Sequence, residues 1–250
     1  MLSYYNTRVG VGVEMLYSLI FGDYTLQDKF ILVVCYLTTI YFAIVLHEIG
    51  HGLVAKWNGD NTAAMMGRLS LNPVRHFEPI GLVMFVLVGM GWARPVPVNP
   101  TNFRKSRAGM VSVALAGVTV NLILSFLSFG LFVGMGAVLA NGIDTESFWF
   151  VLWKFAYYLG YFGTLINISL IAFNLLPLFP LDGFRLVECF TKPYNKYVTF
   201  MRKYSFYIFI ALIGLGLIAD LTGWPIDVLG MYINAVRSLI VKLYGLILGV

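Results

Sequence analysis

The run from Phe30 to Val54 constrains this chain most. It is apolar apart from one motif near its end, His47-Glu48-Ile49-Gly50-His51. About twenty apolar residues suffice to cross a bilayer as a helix. Lipid offers the backbone no hydrogen-bond partner, so an unbroken run of this length spans as a helix. A carboxylate at such a depth is costly and points to function. Residues four apart share one helix face, so His47 and His51 can direct two imidazoles at one Zn²⁺. Glu48 lies beside that face, where a general base toward water would stand. The alternative is a helix end with two stray histidines. It is disfavoured because the chain holds three histidines and two of them form this pair. A catalytic zinc site needs a third protein ligand from elsewhere.

Composition extends the membrane reading to the whole chain. Of 250 residues, 59% are hydrophobic and 12% charged, which excludes an ordinary soluble domain. Further long apolar runs cover Ala108 to Leu139, Phe148 to Leu176 and Tyr204 to Leu221. Val228 to Val250 is apolar but carries Arg237 and Lys242, so it either crosses or lies along the interface. The stretch before residue 25 is equally undecided. Ile80 to Trp92 is too short to span and contains Gly81, Gly89 and Gly91, which predicts a re-entrant loop or short β-hairpin near the active site. The expected fold is an all-α polytopic bundle of about four to six transmembrane helices. We expect one intramembrane domain over 1–250, with its core at about 30–203 and additional membrane helices at 204–250. Cys35 and Cys189 lie in apolar surroundings and read as packed thiols, not as a disulfide or zinc ligands.

The net charge of +5 does not indicate nucleic acid, because the basic residues cluster in short loops beside spans. The segments 55–79, 93–107 and 179–203 are rich in Lys and Arg, whereas 141–147 and 219–227 carry acids and no base. The positive-inside rule places the first set in the cytoplasm, with His47 and His51 near that face. The expected setting is a multi-pass protein of the cell membrane.

Two further segments carry candidate functional residues. In Arg94-Pro95-Val96-Pro97-Val98-Asn99-Pro100, alternate prolines leave one side of an extended strand without donors, while Val96 and Val98 offer theirs on the other. Such an edge can hold an unwound substrate by strand addition, or it can pair with a hairpin at 80–92. Past the break at Pro177 and Pro180, Asp182 sits in an apolar setting, where it is either the third metal ligand or the cap of the next turn.

Taken together, His47-Glu48-x-x-His51, the block Gly67-Arg68-Leu69-Ser70-Leu71-Asn72-Pro73-x-x-His76-x-x-Pro79, the run Gly91 to Pro100, Ala116-Gly117-x-x-x-Asn121 and Asn174-x-x-Pro177 with Leu181-Asp182-Gly183 resemble the site-2 protease family of intramembrane zinc metalloproteases. The likeness is to its compact prokaryotic branch and covers roughly Phe30 to Tyr194. Glu78 and Val118 depart from the family pattern, which favours Asp and Pro there. The resemblance implies one Zn²⁺ per chain, held by His47, His51 and Asp182, with Glu48 as base. It implies transmembrane proteins as substrates, and Asn174 as a residue that binds substrate or the oxyanion. His76 either donates to the oxyanion or binds a backbone carbonyl and holds the Asn72-Pro73 turn; the second role is favoured. Asn121 reads as interhelical glue. A metal transporter or sensor using the same His and Asp is the main rival, but it needs no Glu48 and would show a paired second half. A catalytically dead scaffold is the other, and the intact Glu48 argues against it.

Overall fold

The computed structural model describes residues 22–76, 78–81, 83, 94–142, 144–192 and 194–250. Within them the regular structure is helical. The long helices are α1 (Leu26–Trp57), α3 (Ser106–Ala140), α4 (Phe148–Asn174), α6 (Lys196–Thr222) and α7 (Val228–Leu248), joined by the short α2 (Thr62–Met65) and α5 (Asp182–Phe190). The five long helices are each apolar and long enough to cross a membrane. This multi-pass helical bundle is the architecture expected from the apolar runs. The span predicted from Tyr204 begins earlier, at Lys196, because Asn195 caps it by accepting from the Tyr197 N–H.

Start and stop signals set the helix limits. Thr25 accepts from the Asp28 N–H at the start of α1, and Lys56 lies in its last turn, favourably placed for the helix dipole. Ser147 caps α4, Asp227 caps α7, and Gly223 closes α6 in the left-handed conformation. The 32 residues of α1 extend about 48 Å at 1.5 Å per residue, so its final turns outrun a hydrocarbon core of about 30 Å.

Helices α1, α3 and α4 pack mutually into the centre of the bundle. One core cluster joins Ile31, Cys35, Tyr36, Ile40 and Ile44 of α1 to Phe162 and Ile166 of α4. A second joins Phe129 and Phe132 of α3 to Ile168 of α4 and to Val241 and Tyr244 of α7. Small residues let α3 and α4 approach closely: a Cβ at Gly160 would fall 2.5 Å from the Phe132 nitrogen. Cys35 and Cys189 are buried free thiols, as expected. Lys154, near the start of α4, bonds Asp28 at 2.6 Å, so this cation near the acidic connections is matched by an acid.

The predicted edge strand needs correction. Residues 94–99 form no strand ladder among the described residues, and Asn99 is extended. The prolines remove alternate donors, and carboxylate side chains take two that remain. The Val96 N–H donates to Glu48 Oε2 at 2.9 Å, and the Asn99 N–H donates to Asp60 Oδ2 at 2.7 Å. The expected re-entrant loop or hairpin falls largely on 84–93, outside the described residues.

Candidate active site

His47 and His51 stand one turn apart on the buried face of α1 that meets α3. Their partners on α3 run the opposite way, as antiparallel helices require. His47 Nδ1 lies 2.6 Å from Asn121 Oδ1, and His51 Nδ1 lies 2.7 Å from the Val113 carbonyl. Both oxygens only accept, so each imidazole carries its proton on Nδ1 and turns the Nε2 lone pair inward. Gly117 makes room for this. A Cβ there would fall 2.5 Å from His47 Nε2 and 2.6 Å from Nδ1.

Asp182 completes the group. It is the first residue of α5, whose capping position, Leu181, makes no side-chain bond. The carboxylate is thus not spent on capping the turn. Gly183 has no left-handed backbone; it is small because a Cβ would fall 2.6 Å from the Leu176 carbonyl oxygen at the end of α4. This close approach brings Asp182 Oδ2 to 3.3 Å from His47 Nε2 and 3.1 Å from His51 Nε2, which are 3.0 Å apart. All three side chains are buried.

Three ligand atoms thus converge, and the buried Asp182 Oδ2 has the two imidazole nitrogens as its polar neighbours. A bound metal cation would satisfy such a set. Tetrahedral zinc, with bonds of about 2.0–2.1 Å, separates its ligand atoms by roughly 3.3 Å, close to the spacing found here. The donor types, two imidazoles and a carboxylate, suit zinc. They are also the group of histidines and acids able to hold a metal among the described residues.

Glu48 is half-buried beside this group, its Oε2 held by the Val96 N–H. The segment carrying Val96 is fixed at both ends. Buried Arg68 donates to the carbonyls of Arg94 and Pro95. Buried Asp60 accepts from the Thr62 N–H and hydroxyl, the Asn99 N–H and the Asn102 amide. Burial alone would raise the Asp60 pKa, but these donors outweigh it and hold the carboxyl below its ordinary value.

The other predicted residues do not join the metal group. Asn174 is half-buried and donates to the Leu170 carbonyl of its own helix. His76 is fully buried with Nε2 2.7 Å from the Ser70 carbonyl, beside the turn at Asn72 and Pro73. No contact of Val98 with the metal group appears among the described residues. Sequence reasoning missed Arg68, Asp60 and Asn167 as parts of the site's frame. The block that carries Arg68 was the available signal for it.

The profile of peptidase family M50 matches residues 35–215. A curated Bacillus subtilis (strain 168) protein named "Putative zinc metalloprotease YwhC" is 37% identical over 215 residues, covering 84% of this chain and 90% of that protein. "Putative zinc metalloprotease Rip2" of Mycobacterium tuberculosis (strain ATCC 25618 / H37Rv) is 29% identical over 186 residues, covering 73% of this chain and 66% of that protein. Its Mycolicibacterium smegmatis namesake is 29% identical over 160 residues, and the chain spans 55% of its length. No solved structure gives a significant match. With the family motifs placed around one buried metal-ligand group, the chain belongs to peptidase family M50, the site-2 protease family of intramembrane metalloproteases.

Proposed function

We propose that this chain hydrolyses peptide bonds within or near transmembrane segments of other membrane proteins, using one zinc ion held by His47, His51 and Asp182. The convergence of two imidazole nitrogens and a carboxylate oxygen within 3.0–3.3 Å of one another carries this reading. A bound zinc ion supplies Lewis acidity that makes water nucleophilic at neutral pH and polarises a carbonyl.

The chain's own residues supply the rest. Glu48 takes the proton of the attacking water and returns it to the leaving amide nitrogen. The Val96 N–H aims that carboxylate; when Glu48 becomes protonated, this bond to a neutral acid weakens, which favours return of the proton. Asn174 is a sequence-derived donor for the oxyanion, and it must give up the Leu170 carbonyl to act. His76 holds the Ser70 carbonyl and the adjoining turn instead of touching substrate. A helical substrate hides its carbonyls in its own hydrogen bonds and has to unwind before cleavage. Val98 then offers the donor of the 95–99 segment for an unwound chain, since Val96 serves Glu48.

The protein sits in the cell membrane with the basic segments 55–79, 93–107 and 179–203 in the cytoplasm, so water reaches the site from that side. The chain forms a single domain. Metal analysis of purified protein tests the ligand set. Wild type is expected to hold one zinc, while His47→Ala, His51→Ala and Asp182→Ala each lose most of it. Undiminished zinc in Asp182→Ala would place the third ligand elsewhere.

A further inference from the structure

The polar contacts of His47 continue away from the metal group and end on a backbone carbonyl. Asn121 Oδ1 meets His47 Nδ1 at 2.6 Å, Asn121 Nδ2 donates to Asn167 Oδ1 at 2.9 Å, and Asn167 Nδ2 donates to the Gly163 carbonyl at 2.8 Å. Asn121 is 0% exposed and Asn167 3% exposed, so water does not substitute for any of these partners.

A side-chain amide is nearly symmetric in shape but opposite in hydrogen-bond sense at its two ends. It can therefore turn over at little steric cost. A backbone carbonyl has no such freedom, because it only accepts. The Gly163 oxygen forces Asn167 to point its NH₂ toward it and its oxygen toward Asn121. That oxygen forces the NH₂ of Asn121 toward Asn167, and so leaves the Asn121 oxygen facing His47. Turning either amide over would set two acceptors or two donors against each other in a dry interior.

We propose that Asn167 is a positioning residue: through Asn121 it holds His47 in the Nδ1–H tautomer and presents the Nε2 lone pair to the metal. This rests on His47 being a zinc ligand. If the Asn121 amide turned, its NH₂ would face Nδ1. The ring proton would then move to Nε2 and block ligation. His51 needs no relay, because the Val113 carbonyl accepts directly from its Nδ1–H. Outer partners of ligating histidines commonly change metal affinity by about ten- to a hundredfold.

The test is zinc affinity of the metal-depleted, full-length protein in detergent, by chelator competition, beside thermal stability of the metal-free form. Asn167→Leu is expected to weaken zinc binding by about ten- to a hundredfold. Asn121→Asp alone keeps an acceptor toward Nδ1 and should retain zinc, while the metal-free protein loses stability because the second carboxylate oxygen meets the Asn167 oxygen. The double variant Asn121→Asp/Asn167→Leu should bind zinc more tightly than Asn167→Leu, because a carboxylate has no donor end to present. A packing role for Asn167 would not be rescued in this way. Should Asn167→Leu fail to fold, Asn167→Ala and its double with Asn121→Asp replace the pair. Wild-type affinity in a folded Asn167 variant, or no recovery in the double, overturns the relay. His47→Ala is the control: zinc retained there would overturn the ligand assignment and the relay with it.

Discussion

At the scale of single residues, the site is built as much by what is small as by what binds. Gly117 lies against the His47 ring, and a methyl group there would overlap Nε2 and Nδ1. Gly117→Ala is therefore expected to keep the helical fold and to lower zinc affinity by about tenfold or more, read by chelator competition beside circular dichroism. Wild-type affinity would mean that His47 can move and still ligate. Asp60 allows a second test. Its folded pKa is depressed, so the stability it contributes is present above the unfolded carboxyl value of about 3.9 and fades as pH falls through the lower folded value. Asp60→Asn should cost about 1–3 kcal/mol at neutral pH and narrow the gap to wild type in acid, as followed by thermal unfolding in detergent. A gap independent of pH would remove the carboxylate from the account. The H-E-x-x-H pair was legible because helical spacing alone puts both rings on one face. Asn121 does bond across helices as read, to His47 of α1 and Asn167 of α4. An amide in a span reads the same whether it meets another amide or a histidine, and only the packing of α1 on α3 decides which.

At the scale of elements, the run Pro95–Asn99 shows where pattern reasoning stops. The alternating prolines marked a segment with few donors. They did not reveal that a residue 48 positions away, Glu48, takes the Val96 N–H. Such a pairing follows from tertiary placement by Arg68 and Asp60, not from local sequence. Val96→Pro removes the donor that aims the base. It should keep zinc while slowing cleavage of a transmembrane peptide by about tenfold or more, within the range that general-base catalysis commands. The check is cleavage rate beside melting temperature. Unchanged cleavage in a stable protein would show that Glu48 needs no such support, and a large loss of stability would make the segment a structural strut. In helix α4, Gly160 packs against the α3 backbone and Asn167 bonds Asn121 of α3, as small and amide residues in spans tend to.

At the scale of the whole molecule, hydropathy set the bundle, and the charge pattern predicts its orientation. Apolar runs fixed the long helices because lipid permits little else, whereas the 80–92 stretch is too short and glycine-rich for length to decide its form. In a background lacking Cys35 and Cys189, an impermeant thiol reagent on intact cells should label Thr145→Cys and spare Ser106→Cys. The reverse pattern would turn the active site toward the other face. The central claim is that Glu48 activates water beside a zinc held by His47, His51 and Asp182. Its most direct test is Glu48→Gln, with zinc content and cleavage of a reporter transmembrane peptide measured on the same purified sample. The expected result is full zinc occupancy with cleavage reduced by at least about 10²–10⁴-fold. Cleavage at the wild-type rate by the zinc-loaded variant would contradict it.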